Sequence, residues 1–230
     1  MAGKVAENYE NYFLSNKILS KTQISRMKHV ELMCELMVSI YNEDVINKKT
    51  ALDKVMNSKS ITGKQIKNVK QQCVTTLNRL NKMFPNLKTT RLCKLSDFYT
   101  LAVLVWKFEK SGMILTDKKR NILAFDLLRN LSNGVDEVRE RQKKARGIHP
   151  GQELYREYLF TVLESTDEIK QRKKREDILK GILESLYEKK DKKRTYSREQ
   201  RRLIWNSENE PKCAICGKAV TWEDFTADHI

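Results

Sequence analysis

Between Ser96 and Gly112 the chain is apolar nearly all round a helix: Leu101, Ala102, Val103, Leu104, Val105 and Trp106 follow one another without a charge, bounded by Lys107. A surface helix needs only one apolar stripe, whereas a helix apolar on every side has to be enclosed. The run is much shorter than the roughly 18 apolar residues of a membrane span, so the enclosure must come from the rest of the chain. Ser96 is placed to cap a helix over Asp97 to Ser111, and Gly112 to follow it as a C′ residue. The expected fold is therefore mainly α, a multi-helix bundle around this segment.

The flanking segments carry helical spacing. A first helix is expected from about Glu7 to Lys17, with Tyr9, Tyr12, Phe13, Leu14 and Ile18 on its apolar side. A second, capped by Thr22 or Ser25, runs to about Tyr41 and buries Met27, Val30, Met33, Cys34, Met37 and Ile40. Thr50 to Asp53 reads as another start. Thr62 caps a long helix to about Phe84, with Ile66, Val69, Cys73, Leu77 and Leu80 inward, ended by Pro85-Asn86. Thr116-Asp117 opens a helix bearing Ile122, Leu123, Phe125, Leu127, Leu128 and Leu131, with Asn133-Gly134 as its stop. Val135 to Lys144 is charged and only weakly amphipathic. A break follows at Arg146 to Gly151, then a helical stretch from Gln152 to Leu163. Thr166-Asp167-Glu168 opens a last helix, ending near Tyr187 with Ile178, Leu179, Ile182, Leu183 and Leu186 inward. Three prolines and eight glycines in 230 residues favour helices over a turn-rich β fold.

The formal net charge of +15 suits a polyanionic partner, nucleic acid before an anionic membrane surface. A lysine-rich solvated surface is the plainer account of the same charge. Cys34, Cys73 and Cys93 lie among apolar residues and read as core hydrophobes in a reducing, cytoplasmic setting. The N-terminal residues lack a secretory apolar region. His29 reads as a boundary or partly buried residue, and His149, ahead of Pro150, as a loop residue.

The remaining chemistry is in the tail. Cys213-Ala-Ile-Cys216-Gly217 lets two thiolates reach one tetrahedral ion, with Gly217 easing the turn, and zinc is the expected metal. A thioredoxin-like redox pair would require a βαβ context that the sequence lacks. Twelve residues after Cys216 come Asp228-His229-Ile230. A basic segment precedes both: Glu188 to Arg194 is lysine-rich, and Ser197-Arg-Glu-Gln200 is a capping-box pattern opening a short helix with Arg198, Arg201 and Arg202.

This order, a basic helix, a Cys-x-x-Cys-Gly turn and then Asp-His-Ile, resembles the opening of an HNH endonuclease, a ββα-metal nuclease. The resemblance covers only the first part of that motif. It implies His229 as general base, Asp228 as ligand of a catalytic Mg2+ or Mn2+, and Cys213 and Cys216 as half of a structural Zn2+ site. Arg194, Arg198, Arg201 and Arg202 would contact DNA. The expectation is thus a fragment, or a protein ending inside its own active site, inactive as it stands.

In the helical part, Ile24-Ser-Arg26-Met27-Lys-His-Val-Glu31-Leu32, then Thr166-Asp167 with Arg172 and Arg175, resemble the helical half of the GmrSD-type restriction family. That family joins a ParB/sulfiredoxin-like domain, marked by Asp-Gly-Gln-Gln-Arg, to a helical region, and some members end in an HNH domain. The motif of the first domain is absent from this sequence. The resemblance implies a helical bundle over 1–187, a basic linker over 188–196 and an incomplete HNH module over 197–230. The implied whole is a bacterial DNA endonuclease of restriction or anti-phage defence, with its ParB/sulfiredoxin-like and remaining HNH portions as missing partners. The alternative from composition is a non-catalytic, basic, helical nucleic-acid-binding protein with a zinc knuckle, and, more weakly, a helical adaptor.

Overall fold

The computed structural model describes residues 2–57, 61–115, 117–147, 149, 151–189, 212 and 217–222. The chain forms two compact units, Met1–Glu188 and Lys189–Ile230. Among the described residues the first is almost wholly helical: α1 Ala2–Glu7, α2 Glu10–Ser15, α3 Lys21–Ser25, α4 Lys28–Asn42, α5 Lys48–Met56, α6 Gly63–Met83, α7 Leu95–Lys110, α8 Lys118–Lys143, α9 Glu153–Phe160 and α10 Ile169–Leu183. Two-residue strands, β1 Met113–Ile114 and β2 Glu188–Lys189, pair with each other. No described helix is long and apolar enough to cross a membrane.

α7 is the axis. Every residue from Asp97 to Trp106 is buried, as is Phe108, and α4, α6 and α10 pack around it. Its all-round apolar surface is thereby removed from water, as its composition requires. Its N-cap is Lys94, and the helix begins at Leu95, so Ser96 lies in the first turn instead of capping it. The backbone of Lys94 is extended and its N–H bonds the Arg91 carbonyl of the preceding 3₁₀ turn, so tertiary packing sets the entry without a side-chain cap. Gly112 follows the helix at φ +75°, where only glycine avoids a Cβ penalty.

α6 follows its sequence signals closely. Thr62 and Gln65 close a capping box, and Cys73, Leu77 and Leu80 are buried. Ile66 is more exposed than its spacing suggests, because it lies in the first turn at the edge of the bundle. Elsewhere the boundaries move. The expected helix from Glu7 is two short helices broken at Asn8–Tyr9, the first starting at Ala2. Ser20, not Thr22 or Ser25, caps α3 through a capping box with Gln23. Met27 then takes a left-handed conformation (φ +60°) between α3 and α4 and is 58% exposed, so it is no part of the buried stripe. That stripe is rotated: Leu32, Met33, Leu36, Val38 and Ile40 are its apolar members, and Val30, Cys34 and Met37 sit at its margin.

The largest departure is at Asn133-Gly134. α8 continues through both for a further nine residues. A Cβ on Gly134 would stand 2.5 Å from Cε2 of Tyr155, so the glycine is where α9 packs closely against α8. The intended stop signal is a packing notch. The break at residues 144–152 does separate α8 from α9.

In the second unit, Lys212 and Ala219 form an isolated antiparallel bridge, and Gly217 has φ +70°.

Candidate functional site

His229, Asp228, Cys213, Cys216, Arg194, Arg198, Arg201 and Arg202 lie outside the described residues, and their mutual geometry with them. Two described facts border the cysteine pair. The bridge from Lys212 to Ala219 brings its flanks together, and Gly217 adopts the left-handed backbone that a tight turn after a second cysteine demands. Thiolates are soft donors suited to zinc, and a carboxylate such as Asp228 is a hard donor suited to magnesium, so the residue types fit the two metals separately. Among the described residues no group of three His, Cys, Asp or Glu side chains could hold a metal ion.

The dominant polar constellation of the first unit is buried instead, along α10. Arg172 and Arg175 are the largest fully buried side chains. Both lie on the face that continues through Leu179 and Leu183, one and two turns on. Arg172 pairs with Glu35 of α4 and with Asp167 (2.9 Å), donates to the Ile46 carbonyl (3.0 Å), and stacks 3.9 Å from the Tyr99 ring centroid. The Tyr99 hydroxyl in turn lies 2.6 Å from Ser39 Oγ and accepts from the Ile46 amide. Arg175 donates to Thr100 Oγ1 and to the carbonyls of Thr161 and Thr166, tying α10 to α7 and to the loop before it. Glu176 holds Lys107, which also reaches Asp44.

A second node lies beneath α9. Asp97 is fully buried, accepts from the Tyr158 hydroxyl (2.8 Å) and faces Arg91 (3.2 Å), whose guanidinium stacks over the Tyr158 ring. Burial pushes the carboxyls of Glu35, Asp97 and Glu176 above the ordinary carboxylate range, against the pull of Arg172, Arg91 and Lys107 respectively. At the rim the balance reverses. Partial burial opposes ionisation of Glu31, yet Lys28 and Lys48 hold its carboxyl below its usual value.

These groups are engaged with one another. The cavity of about 540 Å3 beside them has Glu31, Lys48, Asp53, Asp167 and Glu168 in its lining, and Arg172 is fully buried. The arrangement fastens α10 to α4 and α7. It does not present a nucleophile and base to a bound substrate. His29 is buried, with Nε2 3.3 Å from Glu10 Oε1, and His149 is a loop residue whose Nε2 meets Arg141.

The buried role of Arg172 and Arg175 was detectable in one way: extending the inward register of Leu179 and Leu183 back by one and two turns lands on them. Charge alone directs such residues to the surface. No family model, curated protein or solved structure matches the chain.

Proposed function

We propose that this chain is part of a metal-dependent HNH DNA endonuclease of bacterial restriction or anti-phage defence, its helical unit positioning or regulating the nuclease. The carrying observation is the Cys213-x-x-Cys216-Gly217 sequence, flanked by the Lys212–Ala219 bridge and followed twelve residues after Cys216 by Asp228-His229. The basic run from Lys189 to Arg202 and the net charge of +15 support a DNA partner.

In this reading the residues divide the work of phosphodiester hydrolysis. His229 takes the proton from the attacking water as general base. Asp228 would hold the catalytic Mg2+ or Mn2+, which would supply positive charge to offset that developing on the phosphorane and the leaving oxygen. Cys213 and Cys216 would contribute two thiolates to a structural Zn2+ site. Arg194, Arg198, Arg201 and Arg202 engage phosphates. Adjacent side chains on a regular strand point to opposite faces, so Asp228 and His229 need an ended or distorted strand to serve one phosphate.

The test is cleavage of duplex DNA by the protein expressed from its complete reading frame, with magnesium or manganese. His229→Ala should abolish cutting and leave DNA binding largely intact, and Asp228→Ala should reduce activity and metal dependence together. Undiminished cleavage by His229→Ala refutes the assignment. Binding without cutting, by a protein that takes up zinc, supports the non-catalytic alternative, which the charge alone would satisfy.

A further inference from the structure

Among the described residues α6 is the one long helix with no carboxylate. Its 21 residues include Lys64, Lys67, Lys70, Arg79 and Lys82, and neither Asp nor Glu. The structure sorts them sharply. Cys73, Thr76, Leu77, Leu80 and Met83 face the bundle, while Lys64, Lys67, Asn68, Gln71, Thr75, Asn78 and Lys82 are exposed. At 100° per residue these seven fall within one stripe of about 100°, running the length of the helix.

The chemistry of that stripe sets it apart from the other long helices. Each of them carries carboxylates, and some of their exposed cations pair locally: Lys28 with Glu31 on α4, Arg129 with Asp126 and Lys143 with Glu140 on α8, and Lys180 of α10 with Glu184 just beyond its end, although Lys118, Lys119 and Arg139 of α8 and Lys170 and Lys174 of α10 have no such pair among the described residues. A merely solvated face is normally laced with both signs in this way. Among the described residues Lys64, Lys67 and Lys82 have no ion-pair partner, and amides and a hydroxyl fill the places between them. The helix is also held firmly. Gln72 accepts from the Trp106 indole (2.8 Å), Arg79 pairs with Glu109 (2.7 Å), and Asn78 accepts from the Tyr9 hydroxyl (2.8 Å). A rigid mount spares a ligand the entropy of ordering the surface.

We propose that this stripe of α6 docks along double-stranded DNA. Lys64, Lys67 and Lys82 contact phosphates, and Asn68, Gln71 and Thr75 hydrogen-bond along the same backbone. This rests on the reading of the chain as a DNA-binding protein and adds a surface in the helical unit to the basic segment of the tail. The match is one of charge and length. Cations without carboxylates suit a polyanion, and a 21-residue helix of about 30 Å spans about one duplex turn. Amide and hydroxyl donors interleaved with the lysines suit phosphate and sugar oxygens, which receive half or more of protein–DNA hydrogen bonds.

The experiment measures binding of the 230-residue chain to a 24-base-pair duplex across a salt series. Replacing Lys64, Lys67 and Lys82 together by alanine should weaken binding by about 100-fold at 0.1 M salt and make the log–log salt slope shallower by about 3, the loss of three phosphate contacts. The same three positions changed to arginine should retain binding. Asn68→Ala with Gln71→Ala should weaken binding several-fold with the slope unchanged, because uncharged contacts release no counterions. Replacing the exposed Arg139, Lys144 and Arg146 of the α8 end removes equal charge elsewhere and should cost much less.

Equal losses from the two triple variants reduce the effect to net charge and overturn the proposal. Unchanged binding in the α6 triple, with binding lost on replacing Arg194, Arg198, Arg201 and Arg202, overturns it while leaving the DNA reading intact. Absence of wild-type binding at low salt overturns both. Tighter binding of duplex RNA, or of polyglutamate, through the same lysines overturns the DNA assignment.

Discussion

α7 and α10 lie against each other and are buried by opposite means. From Leu101 to Trp106 α7 is enclosed because it is apolar on every side, and the partners of that stretch need only be apolar and well shaped, whereas Asp97, Tyr99 and Thr100 nearer its start meet Arg91, Arg172 and Arg175. α10 presents Arg172, Arg175 and Glu176 to the interior along half its length and turns apolar only at Leu179 and Leu183. A buried hydrophobe tolerates any close-packed neighbour, whereas a buried charge needs particular donors and acceptors at particular distances. The first helix therefore resists small misplacements. The second specifies where α4, α7 and the Thr161–Thr166 segment have to be.

The sharpest way to break this contrast is at Arg172. Arg172→Ala strands Glu35 in the interior and should cost about 3–5 kcal/mol, whereas Arg172→Met with Glu35→Leu should recover most of that loss. Urea midpoints of the three proteins decide it. If the double variant is no better than the single one, the pair does more than offset its own desolvation. On α7, Leu104→Ala should cost roughly 3 kcal/mol through the cavity it opens, with no partner able to rescue it. A loss below about 1 kcal/mol would mean that the axis is not closely packed there.

Two glycines extend the comparison to backbone fit. Gly134 of α8 faces the Tyr155 ring, and Gly181 of α10 faces open space. Gly134→Ala should destabilise by roughly 1–3 kcal/mol through overpacking. Gly181→Ala should stabilise by about 0.5–1 kcal/mol through helix propensity. Melting temperatures that move the same way would show that Tyr155 yields easily.

The smallest effect is a pH trend. Burial, opposed by Arg91, raises the Asp97 carboxyl, so the folded state holds this proton more tightly than the unfolded chain does. Its contribution is then greatest at low pH and declines as pH rises from the unfolded carboxylate value through the folded one. Asp97→Asn cannot titrate, so its stability relative to wild type should improve between pH 4 and pH 7. A difference independent of pH would place the Asp97 pKa at its unfolded value.

Much of the helical framework was legible because helices with strong local signals need little else. The Thr62–Gln65 box, the period-matched Cys73, Leu77 and Leu80, and the apolar run of α7 each act within a few residues along the chain. The proposed nuclease site is legible only as residue types and spacing. Cysteine separation indicates a shared ion, but the aim of Asp228 and His229 depends on backbone that spacing does not describe.

What the sequence by itself determined is the helical class, the central position of α7 and the faces of α6. Periodicity is a local property, and burial of an apolar stripe is favourable against almost any partner. Only the tertiary structure decided that Gly134 is a notch, that Met27 is turned out, and that Arg172 and Arg175 are turned in. A glycine between two helical stretches ends a helix unless another helix needs its missing side chain. An arginine is solvated unless Glu35, Asp167 and a run of carbonyls converge on it from segments as far as 137 residues away. Those free energies belong to pairs of distant residues and exist only once the chain has folded.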